Sequence, residues 1–327
     1  MSRGWTIEEG RLLPRADAMA GEGSSRCVEG EVLLTGFAHA GRYVHGRLAE
    51  EVLEQAEHAA MPFVEHDGDG AAGIVVLPAG AHPASRAKRF AFVLTRERLV
   101  LVDGCGVCEP MLKQLVEDAA PVSSAAGALC ALLRLPLHDH PATLSRVRDD
   151  YEQLEERILA GRERIDRARM MADTRRLLGL DVYYQGLLDM VTVLADDACG
   201  FVPEEDRGRF SGLARQLERL SARLESLQDY SLQVHGLYQE SIDVRQNNVM
   251  QWLTVVATIA MPLTFITSWY GMNFTDIPLI SVPWGYPVAA ALCLVVALAE
   301  VWVFHRRGWL SFDGSRRGRH RGSDRDR

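Results

Sequence analysis

Two long apolar runs near the C-terminus interrupt a chain whose other hydrophobic positions alternate with polar ones. The first covers about 250–269 and the second about 286–304, each close to the ~20 residues that cross a ~30 Å hydrocarbon core. The first run carries no charged side chain. The second carries only Glu300, near its end, where the carboxylate can reach the interface or Arg306. We therefore predict two transmembrane helices within 250–304.

Charge on the flanking segments predicts the orientation of these spans. The segment 271–285 has Asp276 as its only charged residue, whereas 305–327 has eight Arg and three Asp. Short loops rich in Lys and Arg stay in the cytoplasm. We therefore expect a short external loop and both termini in the cytoplasm. The tail 305–327 is basic, and its Gly- and Ser-rich part from 313 onward is predicted to be disordered and to lie against anionic lipid.

The first part of the chain has the pattern of an α/β domain over 1–140. Short β-like runs at 31–34, 73–77, 90–94 and 98–102 alternate with helical patterns at 47–58 and 123–135. Residues up to about 25 are rich in Gly, Ala and charge, and we expect them to be loosely ordered.

From residue 141 to 249 the pattern predicts a cytoplasmic helical bundle and stalk. We expect helices at 142–178 and 181–198, with breaks near Gly179 and at 200–203. A final helix from Glu204 continues into the first apolar run and would be about 100 Å long at ~1.5 Å per residue. A heptad seam in this helix fits packing within one chain or between chains: Leu213, Leu217, Leu220, Leu224 and Leu227.

Composition and charge argue against a nucleic-acid partner. The chain is 47% hydrophobic and has a formal net charge of -8. Because the tail contributes +5, the remainder carries -13. Such an acidic body repels nucleic acid and attracts cations.

Two short motifs resemble metal sites but are better explained as turns. Cys105 and Cys108 form a CxxC, and His138 and His140 could complete a zinc site, but there is no second CxxC. The other motif, "HDGDG" at 66–70, lacks the remaining ligands of a calcium loop. No nucleophile–base pair, phosphate loop or full metal quartet can be identified, so we do not expect an enzyme.

One face of the first span, continued from the stalk, is formed by small, polar or flexible residues. This stripe is compatible with helix–helix packing or with the lining of a pore. Two spans cannot enclose a water-filled path, so a pore would require several chains around an axis. The stripe is Asn247, Met250, Leu253, Ala257, Met261, Thr264 and Ser268.

The stretch "NNVMQWLTVVATIAMPLTFITSWYGMNF", followed by "IPL", "WGYP" and "WL", closely resembles the CorA-type divalent-cation transporters over about 200–310. The resemblance implies a homopentamer with a funnel-shaped cytoplasmic domain and a pore lined by the first span. It also implies a selectivity mouth of Gly271, Met272 and Asn273, braced by Tyr270 and Phe274. In the pore, Met250, Leu253 and Met261 would be apolar constrictions, and Asn247, Thr264 and Ser268 polar steps.

The same resemblance implies Mg²⁺ as substrate, also Co²⁺, and Mg²⁺ as a regulatory ligand, with no other cofactor. Glu240 and Asp243, one turn apart on the stalk, are the candidate regulatory ligands, but no motif identifies them as ligands, and solvated charges on the stalk are the favoured interpretation.

The sequence of the loop after the mouth also allows a second substrate, zinc. Ile277, Pro278, Leu279 and Ile280 stand where many family members have Met-Pro-Glu-Leu, and ZntB-like zinc transporters often have "IP" there. The intact GMN triplet and "WGYP" favour the magnesium/cobalt branch. The alternatives are a proton-coupled zinc transporter and a membrane-tethered cytosolic sensor.

Overall fold

The structure is a computed structural model that describes residues 2–15, 30–44, 46–56, 58–78, 87–161, 166–196, 200–272 and 284–309. The chain divides into two compact units, Met1–His235 and Gly236–Arg327, and each is described by itself. The predicted order of an α/β region, a long helix and a second apolar helix is confirmed. The domain boundaries predicted at 140, 249 and 304 remain predictions.

The first unit contains a seven-stranded mixed sheet with the strand order β2-β1-β3-β7-β6-β5-β4. Strand β3 pairs in parallel with β7, and the other neighbouring strands pair antiparallel. All four predicted strands are present, and the sheet also contains β1, β2 and β4. The strands are β1 Arg3–Glu8, β2 Arg11–Arg15, β3 Gly30–Thr35, β4 Phe63–His66, β5 Gly70–Leu77, β6 Lys88–Thr95 and β7 Arg98–Asp103.

The N-terminal residues are more ordered than their composition suggests. Strand β1 pairs with β2 on one side and with β3 on the other, and Trp5 and Ile7 are buried. The expectation of loose order is therefore wrong for 3–15, because the few large apolar side chains of this segment bury against the sheet. Residues 16–29 lie outside the described part of the chain.

Alternation along the central strands places apolar side chains on both faces of the sheet. In β7, Val100 and Val102 belong to a cluster with the helix α2, and the intervening Leu99 and Leu101 point to the other face. The helix α4 contacts β3, β6 and β7. The first four helices are α1 Phe37–Ala40, α2 Arg47–Gln55, α3 Cys108–Glu117 and α4 Ala125–Arg134.

The helical part contains α5 His140–Leu159, α6 Arg167–Ala195 and α7 Glu204–Tyr270. The predicted single helix over 142–178 is wrong. The chain turns after α5 at Gly161, whose φ of +67° is the left-handed conformation typical of a glycine after a helix C-terminus. Helix α6 then passes through Gly179 without a break, because the helix buries Leu177 and Leu180 on either side of that glycine. The predicted start of the last helix at Glu204 is confirmed.

The heptad seam of α7 packs within the chain. All five leucines from Leu213 to Leu227 are at most 5% exposed in the first unit. One turn further, Ser231 Oγ donates a hydrogen bond of 3.0 Å to the Tyr151 hydroxyl on α5, and the Tyr230 hydroxyl bonds to Glu155. The seam therefore forms an intramolecular bundle.

A buried carboxylate connects α4 with the start of α7. Asp206 is fully buried and accepts hydrogen bonds from Ser124 Oγ and, at 3.1 Å, from Arg209 Nη1. Ser124 also caps α4, because its Oγ accepts from the Gly127 N–H at 3.0 Å. A Cβ on Gly127 would stand 2.8 Å from the Asp206 carboxylate, so this contact requires a glycine.

Candidate ion-permeation site

Three described helices are long and apolar enough to cross a membrane by length and composition: α6, α7 and α8 Gly285–Arg306. In α6, 44% of the most apolar 18-residue segment is buried in the protein, so we interpret α6 as a helix of the bundle core. The corresponding shares are 6% for α7 and 0% for α8. Unburied apolar surface of this extent is stable in lipid rather than in water, so we assign the two predicted spans to α7 and α8.

Within the second unit, each span has one half-buried face. On α7 this face includes Val255, which is 3% exposed, together with Ile259, Pro262 and Ile266. At the start of the first span, Gln251 Nε2 donates a hydrogen bond of 3.2 Å to the carbonyl of Trp309, just after α8. On α8, Gly285 is buried, and the half-buried positions that follow it lie on one face: Ala289, Cys293, Val296, Ala297, Glu300 and Phe304.

The stripe predicted to line a pore lies on the opposite face of α7. At 100° per residue, its seven positions centre about 180° from the half-buried face. All seven are exposed in the single chain, with Met250 at 57%, Leu253 at 61% and Met261 at 76%. The structure therefore leaves open the face that a path between several chains would use. Whether the stripe lines such a path remains a prediction.

The threonine hydroxyls of this span donate their protons to backbone carbonyls of the helix. Thr264 Oγ1, on the stripe, donates its proton to the Ala260 carbonyl at 2.8 Å. The remaining lone pairs of that oxygen can only accept a hydrogen bond or coordinate a cation. The water molecules around a metal ion present their hydrogens outward, so this oxygen can receive a hydrated cation without removing its water.

The C-terminal end of the first span is described as far as Met272. Helix α7 ends at Tyr270, and the Gly271 N–H donates to the Thr267 carbonyl at 2.9 Å. A Cβ on Gly271 would stand 3.1 Å from that carbonyl oxygen, which is tighter than usual and favours glycine. Met272 is 44% exposed and Tyr270 is half-buried. The predicted mouth residues Asn273 and Phe274 lie outside the described residues.

The predicted regulatory pair is exposed and forms no closed site in one chain. Glu240 and Asp243 both face solvent, and Asp243 Oδ1 accepts a hydrogen bond of 3.5 Å from Gln239. The described residues contain no group of three or more His, Cys, Asp or Glu side chains that could hold a metal ion. Regulation through this pair remains a prediction that requires ligands from a second subunit.

The turn interpretation of both short motifs is confirmed. The Asp103 carboxylate accepts backbone hydrogen bonds of 2.7–2.9 Å from Cys105, Gly106 and Cys108 in the turn that leads into α3. Similarly, Asp67 accepts from the backbone N–H groups of Asp69 and Gly70 at 3.2 and 3.0 Å.

The side chains of the CxxC motif do not form the proposed zinc site. Cys105 is exposed and Cys108 is buried. Burial, with the nearby Asp103 carboxylate second, raises the pKa of the Cys108 thiol far above its ordinary value, which opposes the thiolate that zinc requires. His140 is used elsewhere, because its Nδ1 lies 2.8 Å from the Tyr184 hydroxyl.

Glu300 is a residue whose surroundings the sequence did not predict. Among the described residues no ion pair joins Glu300 to Arg306, and Glu300 lies on the half-buried face of α8 with its Oε2 atom buried. That its carboxylate reaches the interface remains a prediction. The Arg306 guanidinium instead lies over the Trp302 ring, 5.3 Å from the ring centroid. The sequence offered one signal for this position, a single acidic residue within a long apolar run.

A mixed-sheet α/β unit, a 67-residue helix and an uncovered face on the first of two apolar helices define a two-span membrane protein. The sequence profile of the CorA-like Mg²⁺ transporter protein family matches residues 48–306. The chain therefore belongs to this family of membrane transporters, as the resemblance predicted.

Curated relatives carry the same family name. The cobalt/magnesium transport protein CorA of Thermotoga maritima is 30% identical over 182 residues, which cover 56% of this chain and 52% of that protein. The magnesium transport protein CorA of Pasteurella multocida is 37% identical over 101 residues, 30% of this chain and 31% of that protein. These alignments span about half or less of the length of the relatives.

Solved structures share the fold over nearly the whole chain. The complete CorA magnesium transporter of Methanocaldococcus jannaschii has a TM-score of 0.77 at 18% identity, covering 95% of this chain and 99% of that one. Full-length CmaX has a TM-score of 0.70 at 19% identity, covering 93% and 96%. The ZntB cytoplasmic domain from Vibrio parahaemolyticus has a TM-score of 0.58 at 10% identity, covering 74% and 97%. At these identities the likeness concerns the fold alone.

Proposed function

We propose that the protein conducts divalent metal cations across the cytoplasmic membrane, with Mg²⁺ as its main substrate and Co²⁺ as a second one. The observation that carries the proposal is the open face of α7, from Asn247 to Ser268, which lies opposite the face that is half-buried in the single chain. Family membership and the names of the CorA relatives support the choice of ions.

The path requires several copies of the chain. Two spans cannot enclose water, so the open faces of α7 must meet around an axis, and we propose a homopentamer in the lipid bilayer. The basic tail after α8 favours cytoplasmic termini, with the loop between the spans outside.

Selection in this proposal acts on the hydrated ion. Mg²⁺ gives up its water reluctantly, so neutral oxygen atoms that accept hydrogen bonds from its water shell can select it. A ring of Asn273 amides at the outer mouth supplies such oxygens, and Thr264 supplies a second set further along the path. Met250, Leu253 and Met261 would narrow the path between polar steps without offering a ligand.

Cytoplasmic Mg²⁺ closes the path in the same proposal. Glu240 and Asp243 of adjacent subunits would repel each other when no cation is present. A bound Mg²⁺ screens that repulsion and favours the closed arrangement. Both residues are exposed in one chain, which leaves their carboxylates available for such a contact.

Zinc transport driven by protons is the second candidate. The loop residues Ile277 and Pro278 favour it. The loop also lacks a glutamate, so the mouth should attract cations more weakly. The third candidate, a tethered sensor, has no use for a mouth that carries an asparagine.

Reconstitution in liposomes tests these candidates. Entry of Mg²⁺, Co²⁺ and Zn²⁺ is recorded with and without a proton gradient at clamped membrane potential. We expect Mg²⁺ entry that ignores the gradient and is abolished by Asn273→Ala, while Asn248→Ala, off the stripe, keeps the wild-type rate. Zinc entry that follows protons would favour the second candidate, and no flux of any ion would favour the third.

A further inference from the structure

A cavity of about 570 Å³ lies between α3, α4 and the first turns of α7 in the first unit. Its apolar lining includes Leu115 and Cys130, which are at most 4% exposed. A volume of this size, with apolar walls and a few polar groups, is typical of a site for a small organic ligand. The polar lining residues are exposed or half-buried and lie toward solvent: Gln114, Asp118, Arg134, His138 and Arg209.

Arg209 is held in the wall of this cavity by two carboxylates. Its Nη1 atom donates to Asp206 Oδ1 at 3.1 Å, and its Nη2 atom donates to Glu205 Oε1 at 2.6 Å. Both ends of the guanidinium group are therefore engaged within the protein. Arg209 shapes the wall, and an anionic ligand would need its main partners elsewhere.

Two other arginines converge near the cavity without a counter-ion. Within the described residues, the side chains of Arg134 on α4 and Arg215 on α7 make no hydrogen bond or ion pair. Their Nη2 atoms nevertheless flank one point, because a Cβ on Gly212 would stand 3.9 Å from that of Arg134 and 4.0 Å from that of Arg215. Two cations in this arrangement repel each other, so an anion placed between them is stabilised by both.

The gap beside Gly212 suits a phosphate group. A charge-assisted hydrogen bond spans about 2.8 Å between nitrogen and oxygen, so one tetrahedral oxyanion can accept from both Nη2 atoms through different oxygens. The planar donor fork of arginine matches phosphate geometry. Arg134 also lines the cavity, so a phosphate held by this side chain can extend its organic part into the cavity.

The charge of this surface contrasts with the rest of the chain. Outside its basic tail the chain is acidic. Arg219 nevertheless continues the face of Gly212 and lies about 20° from it at 100° per residue along α7. Asp118 is the one acidic residue among the described residues that line the cavity, and it is exposed. The surface therefore favours an anion over the cations that the remainder attracts.

We propose that this cavity binds a phosphorylated small molecule of nucleotide size. The phosphate lies between Arg134 and Arg215, and the organic part packs against Leu115 and Leu135. All of these residues belong to the first unit, so the proposal does not rest on the proposed transport function.

Isothermal titration calorimetry of the purified full-length protein in detergent tests the site. The probes are ATP, pyrophosphate and inorganic phosphate, in buffer with EDTA so that no divalent cation bridges probe and protein. We expect ATP to bind more tightly than inorganic phosphate. Arg134→Gln and Arg215→Gln each remove a charge-assisted hydrogen bond and should weaken ATP binding about tenfold or more. Arg175→Gln, at an exposed position of α6, makes the same charge change and should leave the affinity unchanged.

A second pair of variants supplies the counter-ion from within the chain. No atom lies closer than 3.9 Å to a Cβ on Gly212, so Gly212→Asp fits and its carboxylate can reach both arginines. We expect this variant to lose ATP binding while its Tm is no lower than that of the wild type, because aspartate is a better helix residue than glycine. Gly212→Asn, with the same shape and no charge, should weaken ATP binding less.

Three results would contradict the proposal. Unchanged ATP affinity in Arg134→Gln and Gly212→Asp would place the binding elsewhere. Absence of binding for all three probes at millimolar concentration would refute the site. Inorganic phosphate that binds as tightly as ATP would refute the role of the cavity in holding an organic part.

Discussion

Replacing glycine by alanine should have opposite effects on stability at two positions of α6. Gly186 and Gly179 lie two turns apart. A Cβ on Gly186 would stand 2.6 Å from the Pro62 carbonyl oxygen and 3.1 Å from its nitrogen, both backbone atoms that cannot rotate away. A Cβ on Gly179 would have no neighbour within 4 Å. Gly179→Ala therefore serves as the matched control for Gly186→Ala.

The magnitudes follow from two terms. Replacing a helix-interior glycine by alanine stabilises a helix by about 1 kcal/mol, and both variants share this gain. Only Gly186→Ala adds the cost of moving the sheet edge, about 1–3 kcal/mol for overpacking. The two variants should therefore differ in unfolding free energy by about 1–3 kcal/mol, which corresponds to roughly 3–9 °C in Tm for a domain of this size.

Thermal unfolding of the detergent-solubilised full-length protein, followed by circular dichroism at 222 nm, measures this difference. We expect a higher Tm for Gly179→Ala and a lower one for Gly186→Ala. Equal increases for both variants would refute the close approach of α6 to Pro62. A decrease for Gly179→Ala would refute the unbroken course of α6 through that residue.

Three further predictions concern the first unit. Asp206→Ala should destabilise it by about 3–5 kcal/mol in chemical unfolding, whereas Glu205→Ala, which removes the exposed carboxylate that also binds Arg209, should cost at most ~1 kcal/mol. Burial lowers the pKa of His140, so the unfolded chain binds the proton more readily. Stability should therefore decrease as pH falls below about 6.5, and His140→Asn should flatten that decrease. A maleimide should label Cys105 in the folded protein, while labelling of Cys108 at a similar rate would contradict its burial.

The membrane part could be predicted from the sequence because its signals are local. Hydrophobic length predicted both spans, and a repeat of three and four residues identified the stripe that the structure leaves exposed on α7. The heptad of Leu213 to Leu227 was recognised in the same way. Its partner was not, because periodicity shows which face is buried but not what buries it.

The errors arise where tertiary contacts override local preference. Gly179 was expected to end a helix, but the burial of Leu177 and Leu180 offsets the cost of one glycine. The first strands were missed because pairing with β3, rather than composition, orders them. The half-buried position of Glu300 depends on how α8 packs within the second unit, which no local pattern encodes.

The central claim is that the open face of α7 meets the ion, and cysteine accessibility during transport tests it most directly. Thr264→Cys lies on that face, and Leu263→Cys lies at the same depth about 100° around the helix, on its half-buried side. Mg²⁺ entry into proteoliposomes is recorded before and after a membrane-impermeant, charged thiol reagent, with the unmodified chain as baseline. We expect the reagent to block Thr264→Cys and to leave Leu263→Cys at the baseline rate. Equal block of both variants, or block of Leu263→Cys alone, would contradict the assignment of the path to this face.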